Sequence, residues 1–363
     1  MDRDRAHFLL LNIGHFLDHL FMLVFASVAA LALSREWGVS YGELLAYATP
    51  GFVAFGLFAL PAGWLADRWS RDGMMVVFFI GIGLASILTS LAATPLQIGI
   101  GLFLIGLFAA IYHPVGLAIV TMRWRNTGMR LAVNGVWGNL GVASAALVTG
   151  FLVDHGGWRQ AFVLPGLVSI AAGLGYLALW RLSPAAADGP AAPARPVEGA
   201  TARALLRVSM IVFLTTAVAS IIFQSTTFAL PKMFDERLAG LAERLAGALS
   251  GAGQGADGQG DVATLIGAFA FAVFAVASMA QLVVGALLDK LGPRRVFMGV
   301  AALQIVFFAA MPGLEDWAAL AVALGFMLGA FGQIPINDFM IGKMASGAAR
   351  ARVYGVRYVV SFS

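Results

Sequence analysis

Two stretches, GWLADRWSRD at residues 63–72 and GALLDKLGPRR at 285–295, decide the fold. Each follows a long apolar run and each opens a loop. Gly63, Asp67 and Arg68 of the first recur at the same spacing as Gly285, Asp289 and Lys290 of the second. A repeat of this kind predicts two related halves.

The residues around these loops could not face water. The chain is 60% hydrophobic and 12% charged over 363 residues, with a mean hydropathy of +0.87, far from the mix a soluble surface needs. The basic residues fall singly or in small groups between apolar runs, which argues for membrane topology and against a nucleic-acid partner. The absence of cysteine removes disulfides and thiolate metal sites. The first apolar run is too long for the core of a secretory signal and reads as retained.

A helix needs roughly 20 apolar residues to cross a bilayer. Runs of that length lie near 8–33, 44–66, 74–93, 95–121, 130–153, 159–180, 205–231, 262–288, 296–312 and 317–341. An eleventh opens at Val353 and stops at Ser363, too short to span, so the chain reads as truncated inside a helix. Arg3, Arg5, Arg68, Arg71, Arg123, Arg125, Arg130, Arg181, Arg195, Arg203, Arg207, Lys290, Arg294, Arg295, Lys343, Arg350 and Arg352 fall on one side of the membrane. Arg35, Arg159, Lys232, Arg237 and Arg244 fall on the other. The imbalance predicts a cytoplasmic N-terminus in a bacterial-type inner membrane.

The predicted organisation is a six-helix bundle over 1–181, a Pro, Ala and Gly-rich cytoplasmic linker over 182–202, and a second bundle over 203–363. An outer loop at 234–261 begins with an amphipathic stretch (Leu238, Leu241, Leu245, Leu249) that is expected to rest on the membrane surface.

With these features the chain resembles the major facilitator superfamily. That family carries Gly-x-x-x-Asp-Arg/Lys, then Gly and basic residues, between spans two and three. Gly157, Trp158, Arg159 and Phe162, entering span six, are similar to another common feature of it. The resemblance covers essentially the whole chain. It implies an all-α polytopic protein of two pseudo-symmetric six-helix bundles that moves a small solute and is not an enzyme. About one and a half spans of the family's twelve are missing. GLFAAIYHPVG (106–116) and GVWGNLGVA (135–143) are similar to a fosmidomycin-resistance branch. The family's span-four Arg is replaced by Leu102, and the Gly-Pro of drug/proton antiporters is absent from span five. In the first loop the pattern's second Gly is Ser70 and its last base is Asp72. The resemblance implies cytoplasmic gating by Gly63, Asp67, Arg68, Arg71, Gly285, Asp289, Lys290, Arg294 and Arg295. Asp67 is the group expected to meet a helix N-terminus or a base of the facing half.

Duplicated halves in secondary transporters place the substrate between repeats, so polar residues within the spans mark the cavity. In span one Asn12, His15, Asp18, His19 and Met22 share an arc of about 120° at 100° per residue. A charge in hydrocarbon costs roughly 2.5 kcal/mol or more, so this face points to protein or water. Asp18 is the first candidate for proton coupling, with His15 and His19 as relays, because imidazole titrates near physiological pH. A static buried Asp and His pair is the structural alternative. Span seven offers Thr216, Ser220, Gln224 and Thr227 on one face.

His113 precedes Pro114 in span four, Asn134 and Asn139 lie in span five, and Asn337 and Asp338 lie in span ten. All are cavity candidates, whereas Arg130 reads as a helix-end anchor. His15 and His19, spaced i and i+4 beside Met22, also form a possible soft-metal face. No Cys or carboxylate cluster in the sequence completes it, so no metal site is expected, and a transition-metal transporter or a non-transporting receptor is the alternative reading. No cofactor is expected: there is no phosphate-binding GxxxxGK[ST] loop. The expected partners are a small solute, protons and lipid, and the expected state is monomeric.

Overall fold

The computed structural model describes residues 3–124, 127–182, 202–251 and 261–344. Ten helices among them are long and apolar enough to span a membrane. They are α1 (Arg3–Trp37), α2 (Tyr41–Arg68), α3 (Arg71–Thr89), α4 (Pro95–Arg123), α5 (Val133–Gly156), α6 (Gln160–Leu182), α7 (Phe213–Arg237), α8 (Val262–Leu288), α9 (Pro293–Ala310) and α10 (Asp316–Asn337). The ten runs predicted from the sequence match these helices one for one. The eleventh run lies outside the described residues, as does most of the 182–202 linker.

Local chemistry sets the helix ends. α2 starts on a capping box in which the Ser40 hydroxyl accepts from the Glu43 amide while the Glu43 carboxylate accepts from the Ser40 amide. α4 starts with Thr94 as cap and Pro95 at its first position, where the missing N–H costs nothing. It breaks at Ala110 and Ile111, and His113 and Pro114 sit in the first turn of its second segment, Tyr112–Arg123. α1 contains one turn of π-helix over Ala29–Leu33 and stops at Gly38, whose φ of 63° suits a residue without Cβ.

Two compact units emerge. The first takes in Met1–Gly189, Phe228–Phe271 and Ser363; the second takes in Pro190–Thr227 and Ala272–Phe362.

Within the first unit α1 packs along α5, α3 along α6, and α2 along α4. Of the most apolar window of α1, 78% is buried, against 33% for α2 and for α6. The helix carrying His15, Asp18 and His19 is therefore enclosed by protein, as the cost of a charge in hydrocarbon requires. The outer helices expose Leu57, Leu60, Leu84, Leu88, Leu91 and Leu167, an apolar belt suited to acyl chains. The chain is a multi-pass membrane protein.

The amphipathic stretch after α7 forms the helix Ala239–Gly251. Its apolar face is covered by the protein itself: Leu238, Leu241, Ala242 and Ala246 are buried. Only Leu249 of the predicted stripe is exposed. Periodicity shows that a face must be covered and is silent on what covers it.

In the second unit Val284 and Leu288 of α8, Val296 and Val300 of α9 and Ile336 of α10 form a core. Phe331 of α10 packs edge-on against Phe223 of α7, with centroids 5.0 Å apart.

Candidate functional site

The site is built where α1, α4 and α5 of the first unit meet. α5 can approach α1 because it carries glycines at the contact. A Cβ on Gly141 would collide with the Phe16 carbonyl oxygen, and one on Gly138 would sit 2.6 Å from His15 Nε2. Gly135, one turn before Gly138, faces open space.

On this seam the His15 Nδ1–H donates to the backbone carbonyl of Asn134 at 2.8 Å. A carbonyl only accepts, so the His15 proton is on Nδ1 and Nε2 is left with its lone pair. His19 Nε2 lies 3.2 Å from that atom and donates to it. The His15 ring stacks on Tyr112, with centroids 4.8 Å apart and an interplanar angle of 21°. The Tyr112 hydroxyl donates to the Leu11 carbonyl at 2.8 Å and accepts from Asn134 Nδ2 at 2.8 Å. Asn134 Nδ2 also donates to Asn12 Oδ1 at 2.9 Å. His15 is thus held in position and in tautomer by groups from three helices.

Asp18, one turn further along α1, is fully buried. Its Oδ2 lies 3.2 Å from His113 Nδ1, close enough for charge pairing, but the angles do not make a hydrogen bond, and neither carboxylate oxygen has a hydrogen-bond partner among the described residues. An ionised carboxylate left so would cost several kcal/mol. The His113 ring is the group placed to offset it. The His113 ring also meets those of His15 and His19 edge-on, at 5.2 and 5.3 Å. Phe21, Met22, Phe25, Phe52, Leu102 and Phe228 line a small apolar cleft of about 10 Å³, room for little more than one water.

Asn12, His15, Asp18, His19, His113 and Asn134 are thus brought together. Asn139 is half-buried and outside the network. Arg130 stacks on Phe8 and Trp124, at 4.7 and 4.8 Å, in keeping with an anchoring role. On α7 one member of the predicted polar stripe is absorbed by its own backbone: the Thr227 hydroxyl donates to the Phe223 carbonyl at 2.7 Å. Thr216 is buried with its hydroxyl unsatisfied among the described residues, and Ser220 and Gln224 are half-buried. Asn337 is buried with Oδ1 unsatisfied, while the side chain of Asp338 lies outside the described residues.

In the first loop, among the described residues, Asp67 accepts from Arg71 at 2.6 Å, four positions on. Arg68 stacks on Trp64 at 4.3 Å. Ser70 caps α3 in place of Asp67, its hydroxyl accepting from the Gly73 amide at 3.0 Å. With φ −169° its backbone has no need of glycine, whereas Gly292 in the second loop sits at φ 77°, ψ 161°, a conformation open essentially to glycine alone. Gly63 packs on Pro114, a Cβ there standing 3.3 Å from the proline Cβ. Gly285 faces open space, and Lys290, Arg294 and Arg295 are exposed; the Asp289 side chain lies outside the described residues.

Asp72 stands where the loop pattern has a base, and it is buried. It accepts from the Tyr176 hydroxyl of α6 at 2.6 Å, and His7 Nε2 of α1 lies 2.6 Å from that hydroxyl and 3.3 Å from the carboxylate. His7, Asp72 and Tyr176 were not foreseen as a group. Their only signal was the misplaced acid.

Three further ties link α7 and α8 to earlier helices of the first unit. Arg35 donates to the buried Asp235 at 2.6 Å, with Lys232 on its other oxygen at 3.1 Å. Tyr41 donates to the Phe228 carbonyl at 2.7 Å. Asp154 accepts from both the amide and the hydroxyl of Thr264, at 2.7 and 2.6 Å.

A family model described as Major Facilitator Superfamily matches residues 11–257. The chain belongs to the major facilitator superfamily. A puromycin resistance protein of Streptomyces alboniger is 30% identical over 158 residues, which is 43% of this chain and 31% of that protein. A gallate transporter of Pseudomonas putida is 27% identical over 179 residues, covering 48% and 39% of the two. The matched segments therefore span about a third of these relatives. A bacterial homologue of the human lysosomal transporter Spinster, solved inward-facing and unoccupied, has a TM-score of 0.72 at 16% identity. That match covers all of this chain and 80% of the other, and it carries the fold alone. The comparisons carry the superfamily and not the fosmidomycin-resistance branch.

Proposed function

We propose that this major facilitator protein is a secondary active transporter that moves a small, weakly anionic amphipathic solute across the cytoplasmic membrane, coupled to protons, by alternating access between halves 1–181 and 203–363. The observation that carries the reading is the buried Asp18 and His113 couple, 3.2 Å apart, beside the His15 and His19 pair. Among the described residues Asp18 has no other counter-charge, so proton arrival or departure would change the charge of the site and bias whichever conformation solvates it.

The cleft supports the solute class. Phe21, Phe25, Phe52 and Phe228 offer ring faces and edges to an aromatic solute. Gallate, the solute named for one relative, is an aromatic carboxylate of that chemistry. Thr216, Ser220, Gln224, Asn337 and Asp338 are the second half's candidate contributions, and with a cytoplasmic N-terminus the basic loops at Arg68 and Lys290 are the cytoplasmic gate. The ties at Arg35 and Asp235, Tyr41 and Phe228, and Asp154 and Thr264 then lie on the outer side. They are the contacts that opening there must break.

The test is counterflow and gradient-driven accumulation in proteoliposomes, with labelled gallate as first probe and related aromatic acids after it. Accumulation should follow an imposed proton gradient and lose that dependence in Asp18→Asn, while counterflow persists. Accumulation indifferent to the gradient in the unmodified protein removes proton coupling; absence of counterflow for every aromatic acid removes the solute class.

A further inference from the structure

We propose that His15, His19 and His113, with Asp18, form a binding site for a borderline divalent transition-metal cation of the Zn²⁺ and Co²⁺ class. The inference stands on donor geometry and does not depend on the transport reading.

One ring nitrogen from each of the three histidines lies within 4.8 Å of the others, and the His15 and His19 Nε2 atoms are 3.2 Å apart. In a tetrahedral zinc site with bonds of about 2.0–2.1 Å, ligand nitrogens stand about 3.4 Å from one another. One pair already has that spacing. The widest separation needs to close by about 1.4 Å at most, which side-chain rotation of the half-buried His19 can supply.

The surroundings match what such ligands require. A metal-bound imidazole gives its other N–H to a carbonyl or carboxylate, which fixes the ring and raises its basicity. His15 does this through Nδ1 to the Asn134 carbonyl, and His113 Nδ1 faces the Asp18 carboxylate at 3.2 Å. The His15 ring is held further by Tyr112 on one face and by Gly138, which leaves it no room to retreat. Asp18 supplies the negative charge that a buried dication needs, and it lacks a hydrogen-bond partner among the described residues. Met22, one turn from His19 on the same face, lines the cleft and marks a route in. Imidazoles with a single carboxylate favour zinc, cobalt, nickel or copper over magnesium or calcium. A pocket held only by an Nε2–H donating to Nε2 would show the same 3.2 Å contact without binding metal, so binding decides.

The experiment uses the full chain purified in detergent at neutral pH, titrated with Co²⁺ and followed by ligand-field absorption, and with Zn²⁺ followed by calorimetry. One equivalent of Co²⁺ should give the intense spectrum of a four-coordinate nitrogen-rich site, displaced by Zn²⁺ and untouched by Mg²⁺. His19→Gln and His113→Gln should each weaken binding by about tenfold or more. His155→Gln, at an exposed histidine bonded to its own helix at the Phe151 carbonyl, should leave it unchanged. An octahedral Co²⁺ spectrum, no saturable binding, or equal affinity in all three variants overturns the proposal. Because the unmodified protein gives the spectral readout, the proposal remains refutable even where a variant fails to fold.

Discussion

Replacing Gly138 by Ala measures how tightly the α1 and α5 seam is built. The added Cβ would stand 2.6 Å from His15 Nε2 and 2.8 Å from its Cε1, where ordinary contact begins at 3.4 Å, so the ring must withdraw by about 0.8 Å. It is pinned on two sides, by the 2.8 Å bond from Nδ1 to the Asn134 carbonyl and by the Tyr112 stack. Overpacking of this sort costs about 1–3 kcal/mol. Ala also stabilises a helix by roughly 0.5–1 kcal/mol relative to Gly, which blurs a single measurement. Gly135→Ala removes the ambiguity: it lies one turn away in the same helix, faces open space, and carries the same helix gain without the clash. The stability difference between the two variants isolates the steric cost, so Gly138→Ala should be about 1–3 kcal/mol the less stable. Unfolding of both proteins in one detergent, by heat or by a graded denaturing surfactant, provides the comparison. Equal stabilities would refute the packing argument and the pinned His15 with it.

Tyr176→Phe keeps the ring and removes the hydroxyl that donates to Asp72, at a cost of about 1.5–3 kcal/mol. A double-mutant cycle with Asp72→Asn should be non-additive, and simple additivity would dissolve the triad. Gly292→Ala forces a side chain into φ 77°, ψ 161° and should destabilise by about 1–3 kcal/mol, whereas Ser70→Gly in the matching loop should cost only a few tenths; parity in unfolding experiments would contradict this reading of the two loops. Asp235→Ala strips Arg35 and Lys232 of their shared acid and should cost about 1.5–3 kcal/mol. Limited proteolysis should then cut more readily near residues 35–41, and an unchanged pattern argues that α1 is held there by something else.

The ten spans were legible in the sequence because the length of an apolar run is a local property and the bilayer sets its minimum. The polar face of α1 was legible for a similar reason, since 100° per residue fixes which side chains share a side. What that arithmetic cannot supply is the partner. His113 was marked as a candidate, but its approach to Asp18, 95 positions away in the chain, needs α4 to break at Ala110 and Ile111 and α2 to pack through Gly63 on Pro114. Tyr112 looked like one more aromatic in an apolar run, although its hydroxyl joins α1 to α5. The contacts of Ser70 and Asp72 were not legible in the first loop, because a family pattern assigns residues by position and does not contain the partners that fold onto them.

The π-turn at Ala29–Leu33 carries a consequence for the outer end of α1. A wider turn holds about one residue more than an α-turn, so everything after it lags by about 100° relative to an uninterrupted helix. Arg35 lies just past that slip and reaches Asp235 with the slip included. Forcing regular pitch on the stretch at unchanged length would swing the guanidinium about a quarter turn away from its acid, whereas deleting a single alanine would remove the extra residue and the lag together and leave the pair in phase. The lower length of α1, with Asp18 and its histidines, would keep its phase. One helix thus carries two independent azimuths, one for the buried proton site and one for its grip on α7, and a five-residue change of pitch sets the angle between them.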